Sequence, residues 1–129
     1  MTKTIVSIVK GNISEGIVEE AIRLAGGLDG VIKKGDKVLI KPNITAGYPP
    51  ESGGTTRPIV VKRIIEEIRK FNPDKIIIAE NAGTICDTFD AYKKCGWIQL
   101  AREMDVELID LEKSETIEVS VPSHLLKKN

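Results

Sequence analysis

The 129-residue chain has few of the features that mark a nucleic-acid-binding protein. Aromatic residues make up only 4% of it, and no basic run is interleaved with them, so a base-stacking platform is not predicted. Acidic and basic residues balance at 19 each, and the net charge therefore gives no reason to expect a polyanionic partner. We accordingly expect no nucleic acid among its partners.

Cysteine and histidine are also scarce. The two cysteines, Cys86 and Cys95, fit no zinc or iron–sulfur ligand spacing, so we expect two free thiols. His124 is the only histidine and lies five residues before the last one, where a surface position is expected. The chain contains no Walker loop and no G-x-G-x-x-G motif, and no Ser-His-Asp arrangement can be argued.

Long apolar runs are missing as well. No run approaches the roughly 20 residues that span a bilayer, and the first residues lack the apolar core of a secretory signal. We therefore expect a cytoplasmic protein without a membrane partner. Gln99 is the only glutamine whereas Lys and Glu are abundant, a composition that favours a thermophilic protein.

Apolar periodicity predicts strands and helices in alternation. Runs rich in β-branched residues predict strands over residues 3–10, 37–40, 75–79 and 106–111. Ile117, Val119 and Val121 alternate with polar residues, which predicts a last strand and a hairpin over 106–121. Helical spacing predicts helices over 17–25, from Pro58 to about 71, over 88–94 and from Trp97 onward. This order predicts an α/β fold, a three-layer α/β/α sandwich whose mostly parallel sheet ends in an antiparallel C-terminal hairpin.

Polar residues gather where two of these strands end and one helix begins. Lys41 and Asn43 follow strand 37–40, and Glu80 and Asn81 follow strand 75–79. The helix that starts at Pro58 is preceded by Thr55, Thr56 and Arg57. Because parallel strands direct their carboxyl ends to one edge of a sheet, these residues are expected to meet there. Helix amides, hydroxyls and cations together suit a phosphate or a carboxylate.

Each of these residues also has a purely structural interpretation. Thr55 or Thr56 can cap the helix, Arg57 can be solvated, and Lys41 can extend from a strand end into water. Glu80 follows an apolar strand and so needs a partner, either a structural ion pair with Lys41 or Arg57, or a role as a general base or metal ligand. With Asn43 and Asn81, Glu80 would form a sparse oxygen site for magnesium or manganese.

Several motifs in order resemble one known family. They are Lys37-Val38-Leu39-Ile40-Lys41-Pro42-Asn43, Gly54-Thr55-Thr56-Arg57-Pro58, Ile76-Ile77-Ile78-Ala79-Glu80, Cys95-Gly96-Trp97 and Leu108-Ile109-Asp110-Leu111. Over about 37–121 their order and spacing are similar to the uncharacterised family called domain of unknown function 362.

The resemblance implies a wider context for the chain. Members of that family often occur joined to ferredoxin-like modules with four-iron clusters, which implies redox or iron–sulfur-linked chemistry. The family domain continues past the last predicted strand here, so we expect residues 1–129 to be a single α/β domain that forms the N-terminal half of a larger one. The alternative to ligand binding is an interaction module, a half-domain that docks on a partner chain, on its missing half or on a second copy through an exposed sheet edge.

Overall fold

Three parallel strands form the sheet, in the order β1-β2-β3. The computed structural model describes residues 4–13, 16–83 and 86–119. The strands are β1 (Lys37–Ile40), β2 (Lys75–Glu80) and β3 (Glu107–Asp110). Ile78 of β2 lies beside Ile40 on one side and beside Leu108 on the other. The continuous apolar run of β2 therefore occupies the centre of the sheet, as is typical of parallel strands.

The predicted helices are confirmed. They are α1 (Ile17–Leu24), α2 (Pro58–Arg69), α3 (Thr88–Lys94) and α4 (Trp97–Glu103), with short 3-10 turns at Pro50–Ser52 and Leu111–Lys113. Pro58 stands in the first turn of α2, where its missing N–H costs nothing. Asp87 caps α3 by accepting hydrogen bonds from the N–H groups of Phe89 and Asp90.

The predicted three-layer sandwich was wrong for the part of the chain that the structure describes. Helices α2, α3 and α4 share one core with a single face of the sheet, which we call the inner face; its members include Val38, Ile40, Ile76, Ile78 and Leu108. On the opposite, outer face Leu39 is 55% exposed. The strand order explains this result, since right-handed crossovers that step in one direction from β1 to β2 to β3 place their helices on the same side.

The strand predicted over 3–10 was also wrong. No strand is assigned in residues 4–10, and Ile5, Val6 and Ile8 are exposed. Ser7 does contact α1, since its hydroxyl donates a 2.7 Å hydrogen bond to the carbonyl of Ala21. A β-branched sequence forms a strand only when a sheet edge accepts it, and propensity alone does not supply that edge.

The C-terminal hairpin was the third wrong prediction. β3 runs parallel to β2, and residues 114–119 form no strand, with Ile117 86% exposed. Local bonds turn the chain at Asp110 instead. Its carboxylate accepts the N–H of Glu112, and its carbonyl accepts the hydroxyl of Ser114. A tight turn therefore follows β3 directly, where the hairpin was predicted to continue the strand.

The other expectations concern the cysteines, the histidine and membrane-spanning helices. Cys86 and Cys95 are free thiols as expected, and Cys95 is buried. His124 and Val121 lie outside the described residues. Within the described ranges, no helix is both long enough and apolar enough to cross a membrane.

Candidate functional site

Lys41 and Glu80 form an ion pair at the carboxyl ends of β1 and β2. The lysine Nζ donates to both carboxylate oxygens, at 2.9 and 2.8 Å, and the N–H of Asn81 donates to one of them at 3.0 Å. The Glu80 side chain is 6% exposed whereas that of Lys41 is 57% exposed. Glu80 therefore forms the structural ion pair that was one of its two expected roles, and its partner is Lys41. The ammonium group of Lys41 still faces solvent.

Asn43 and Thr56 tie the end of β1 to the start of α2. The Asn43 N–H donates to the Thr56 hydroxyl at 3.0 Å, and the Thr56 N–H donates to the Asn43 carbonyl at 2.8 Å. The Asn43 amide also donates to the carbonyl of Gly54, and Ile44 forms an antiparallel bridge with Thr55. Although the loop between β1 and α2 is long, its two ends are thus held together.

Thr55 is buried beside this junction. Its Oγ1 is enclosed and has no hydrogen-bond partner within the described ranges. A buried hydroxyl without a partner costs free energy, because it has lost its bonds to water. Thr55 therefore contributes an unused donor and acceptor at the amino end of α2.

Arg57 does not join the Lys41–Glu80 pair. It is the exposed N-cap residue of α2, and its side chain makes no cap bond. It lines an open cleft of about 720 Å³ together with Arg63, Ile59 and residues 11–13. Of the two predicted cations, one lies at the strand ends and the other lies in this cleft.

Asn81 has a local structural role. Its Oδ1 accepts the N–H of Gly83 at 2.9 Å, which forms an Asx turn directly after β2. The turn also aims the Asn81 N–H at Glu80. Asn81 is exposed and directly follows Glu80 at the end of β2.

Sequence reasoning missed a second buried carboxylate. Asp110 lies beside Glu80 in the β2–β3 register and is equally buried. Lys113 approaches it, with Nζ 3.2 Å from Oδ2, and the same Nζ lies 2.5 Å from Oδ2 of Asp87. Asp110 follows the apolar Leu108-Ile109 pair just as Glu80 follows its own apolar run, and that pattern could have revealed it.

Tyr92 lies next to both carboxylates. Its hydroxyl donates to the carbonyl of Ile109 at 2.9 Å. Burial raises the pKa of Tyr92 to about 12. A hydrogen bond from the Glu80 main-chain N–H opposes this rise, and the charges of Glu80 and Asp110 reinforce it. The phenol is therefore a stable hydrogen-bond donor near neutral pH.

The predicted metal site at Glu80 has a single carboxylate. No group of three or more His, Cys, Asp or Glu side chains among the described residues could hold a metal ion. Glu80, the predicted metal ligand, already accepts both of its short contacts from Lys41. A cation at Glu80 would have to replace the lysine ammonium.

Comparison with known proteins identifies a family. A family model described as "Domain of unknown function (DUF362)" matches residues 38–129. No curated protein and no solved structure gives a match. The matched region begins in β1 and contains the Lys41–Glu80 pair, the Asn43–Thr56 junction and the Glu80–Asp110 neighbours. Since the match covers most of the chain, the protein belongs to this family of unknown function.

Proposed function

We propose that the chain binds a small anion, a phosphate or a carboxylate, where the carboxyl end of β1 meets the first turn of α2. The observation that carries the proposal is the pair of reciprocal hydrogen bonds between Asn43 and Thr56. They hold the end of β1 against the amino end of a helix of 12 residues. Such a helix end carries about half a unit of positive charge. In the first turn of this helix Pro58 has no N–H and the Val60 N–H donates to the Arg57 carbonyl at 3.0 Å, so nearby side chains supply most of the donors.

The charged groups around this junction favour an anion. The Lys41 ammonium is largely exposed, so it can contact a ligand while it remains bonded to Glu80. Arg57 makes no ion pair with any described residue, and its guanidinium can bind two oxygens of one anion at once. In this proposal the Lys41 ammonium approaches the ligand from the strand ends and Arg57 from the cleft, and the Thr56 hydroxyl orients it. The Thr55 hydroxyl, also predicted as a ligand group, is enclosed and would reach the ligand only after a movement of its side chain.

The amides complete the proposed site. Asn43 and Asn81 are exposed and would fix the polar edges of the ligand. Glu80 would hold the Lys41 ammonium in place or accept a proton from the ligand.

A divalent metal at Glu80 stays a prediction, and a titration with Mg²⁺ or Mn²⁺ alone tests it. Metal binding that Glu80→Gln leaves unchanged would contradict the prediction.

The test of anion binding is a calorimetric titration with inorganic phosphate and with acetate. We expect measurable binding of at least one of them, weakened at least tenfold in a Lys41→Ala, Arg57→Ala double variant. The matched control is Lys37→Ala, Arg102→Ala, which removes the same charge from the opposite end of β1 and from α4. Unchanged affinity in the first double variant would contradict the proposed function.

A second candidate function is docking through the sheet. Leu39 on the outer face is more than half exposed, and Ile77 and Ile109 on the same face are partly exposed. We propose as the alternative that a partner chain or a second copy covers this face. Light scattering tests the second copy, and a purely monomeric protein at high concentration would exclude it.

The link to redox or iron–sulfur chemistry stays a prediction from the family resemblance. The chain has only two cysteines, and Cys95 is buried with its thiol donating to the carbonyl of Tyr48. We propose that any cluster linked to this domain takes its ligands from another module. Anaerobic reconstitution with iron and sulfide tests this, because stable cluster absorbance on this chain alone would contradict it.

A further inference from the structure

The cleft beside α2 has a charged end and an apolar wall. It has a volume of about 720 Å³ and is lined by Gly11, Asn12, Ile13, Arg57, Ile59 and Arg63. Ile59 and Arg63 lie one turn apart on α2 and so share one face of the helix. Arg57 is the N-cap residue of the same helix, at its positive end.

The two arginines of the cleft are not equivalent. Arg63 donates to Glu66 at 2.9 Å and lies 3.8 Å from Glu19, so two carboxylates balance its charge. Its Nε is enclosed and makes no hydrogen bond to a described residue. Arg57 has no such carboxylate partner among the described side chains. The uncompensated positive charge of the cleft therefore lies at Arg57.

Two of the residues that line the cleft are apolar. Ile59 belongs to α2 and is 39% exposed. Ile13 lines the same cleft from the segment that precedes α1. A bare inorganic anion would contact Arg57 and leave these two side chains in water, whereas an apolar group attached to the anion would cover them.

We propose that this cleft binds the apolar part of an organic anion, an organic phosphate or carboxylate with an aromatic or aliphatic group. The charged group of the ligand lies against Arg57 and the first turn of α2, and its apolar group lies between Ile13 and Ile59. This inference rests on the proposed function and adds the chemical class of the ligand. Arg63 stays paired with Glu66 and closes the far end of the cleft.

Titrations with inorganic phosphate and phenyl phosphate test the inference on the same protein. We expect phenyl phosphate to bind about tenfold more tightly, because part of its ring is removed from water. Ile59→Ser should abolish this preference and leave the affinity for inorganic phosphate unchanged. Leu39→Ser is the matched control, since it removes a comparably exposed aliphatic side chain from the outer face of the sheet.

The possible results separate the two claims. Arg57→Ala should weaken both ligands, and amide shifts on addition of phenyl phosphate should appear at Ile13 and Ile59. Equal affinity for the two phosphates would overturn the inference, and so would a preference for phenyl phosphate that survives in Ile59→Ser. In either case, binding of inorganic phosphate would still support the proposed function. Failure of both ligands to bind would overturn the inference and the proposed function together.

Discussion

Glu80 and Asp110 lie side by side at the carboxyl ends of β2 and β3, and both carboxylates are buried. Each has a lysine from its own side of the sheet, Lys41 for Glu80 and Lys113 for Asp110. The edge of the sheet thus carries two adjacent carboxylates with a lysine on either side, and the Tyr92 phenol lies beside them. Two neighbouring buried anions are tolerable only because each lysine compensates one of them.

The Lys41–Glu80 pair predicts an asymmetry between two substitutions. Lys41→Ala leaves a buried carboxylate with only the Asn81 N–H, which should lower the free energy of unfolding by about 2–3 kcal/mol. Glu80→Gln keeps a polar group in the same space and leaves an exposed lysine, and should cost about 1 kcal/mol. Urea unfolding measures both. The double variant should recover part of the loss, and a larger cost for Glu80→Gln would contradict this interpretation.

The lowered pKa of Asp87 predicts that the protein loses stability in acid. Its hydrogen bond from Lys113, with further bonds from the main chain at Asp90 and Phe89, lowers the pKa of the carboxyl below its ordinary value of 3.8. Because the pKa of Asp87 is lower in the folded than in the unfolded state, its charged carboxylate stabilises the fold fully above pH 3.8. This stabilisation is lost as the pH falls through the folded-state pKa. Asp87→Asn keeps a capping side chain but has no charge. The difference in melting temperature between wild type and Asp87→Asn should shrink as the pH falls from 5 toward 2, and a constant difference would contradict the argument.

The raised pKa of Tyr92 predicts that the protein loses stability in alkali. Its pKa of about 12 exceeds the ordinary value of 10.0, so the stabilisation is complete below pH 10 and is lost as the pH rises toward 12. In a Tyr48→Phe variant Tyr92 is the only tyrosine, and its phenolate absorbance should then appear near pH 12. A midpoint near 10 in folded protein would show that the phenol is solvated.

Tyr92→Phe provides a second measurement of the same contact. The variant loses the hydrogen bond to the Ile109 carbonyl, which should lower the free energy of unfolding by about 1 kcal/mol at pH 7. It should also remove the part of the alkaline loss that comes from Tyr92. Chemical unfolding at pH 7 and pH 10.5 gives both results.

A side chain at Gly47, in the loop between β1 and α2, should clash with α3. Its φ is +69°, and a Cβ there would lie 3.3 Å from the Ala91 Cα and from a Lys94 carbon. Gly53→Ala is the matched control, because Gly53 has φ +78° but no neighbouring atom within 4 Å. Both substitutions introduce backbone strain of about 1 kcal/mol, and only Gly47→Ala adds a clash with α3. Equal losses in urea unfolding would mean that the loop can move away from α3.

Local rules were enough to predict the helices and the three strands of the sheet. Pro58 and Asp87 mark helix starts, and the apolar run of Ile76 to Ala79 marks a strand covered on both edges by parallel neighbours. Each of these signals acts within a few residues of the chain, so periodicity and capping suffice to read it. The same rules predicted that Lys41 and Glu80 would lie at one edge of the sheet, and they do.

The failed predictions all depended on partners distant in the chain. Residues 4–10 have strand propensity but form no strand, and residues 117–119 alternate correctly but also form none. The single helical face follows from strand order, which no local pattern encodes. The position of Arg57 also depended on the fold, because it lines the cleft with Arg63 and makes no ion pair with the described part of the Lys41–Glu80 site. Composition and spacing determined which elements form, whereas pairing, strand order and side-chain direction depended on contacts that exist only in the folded molecule.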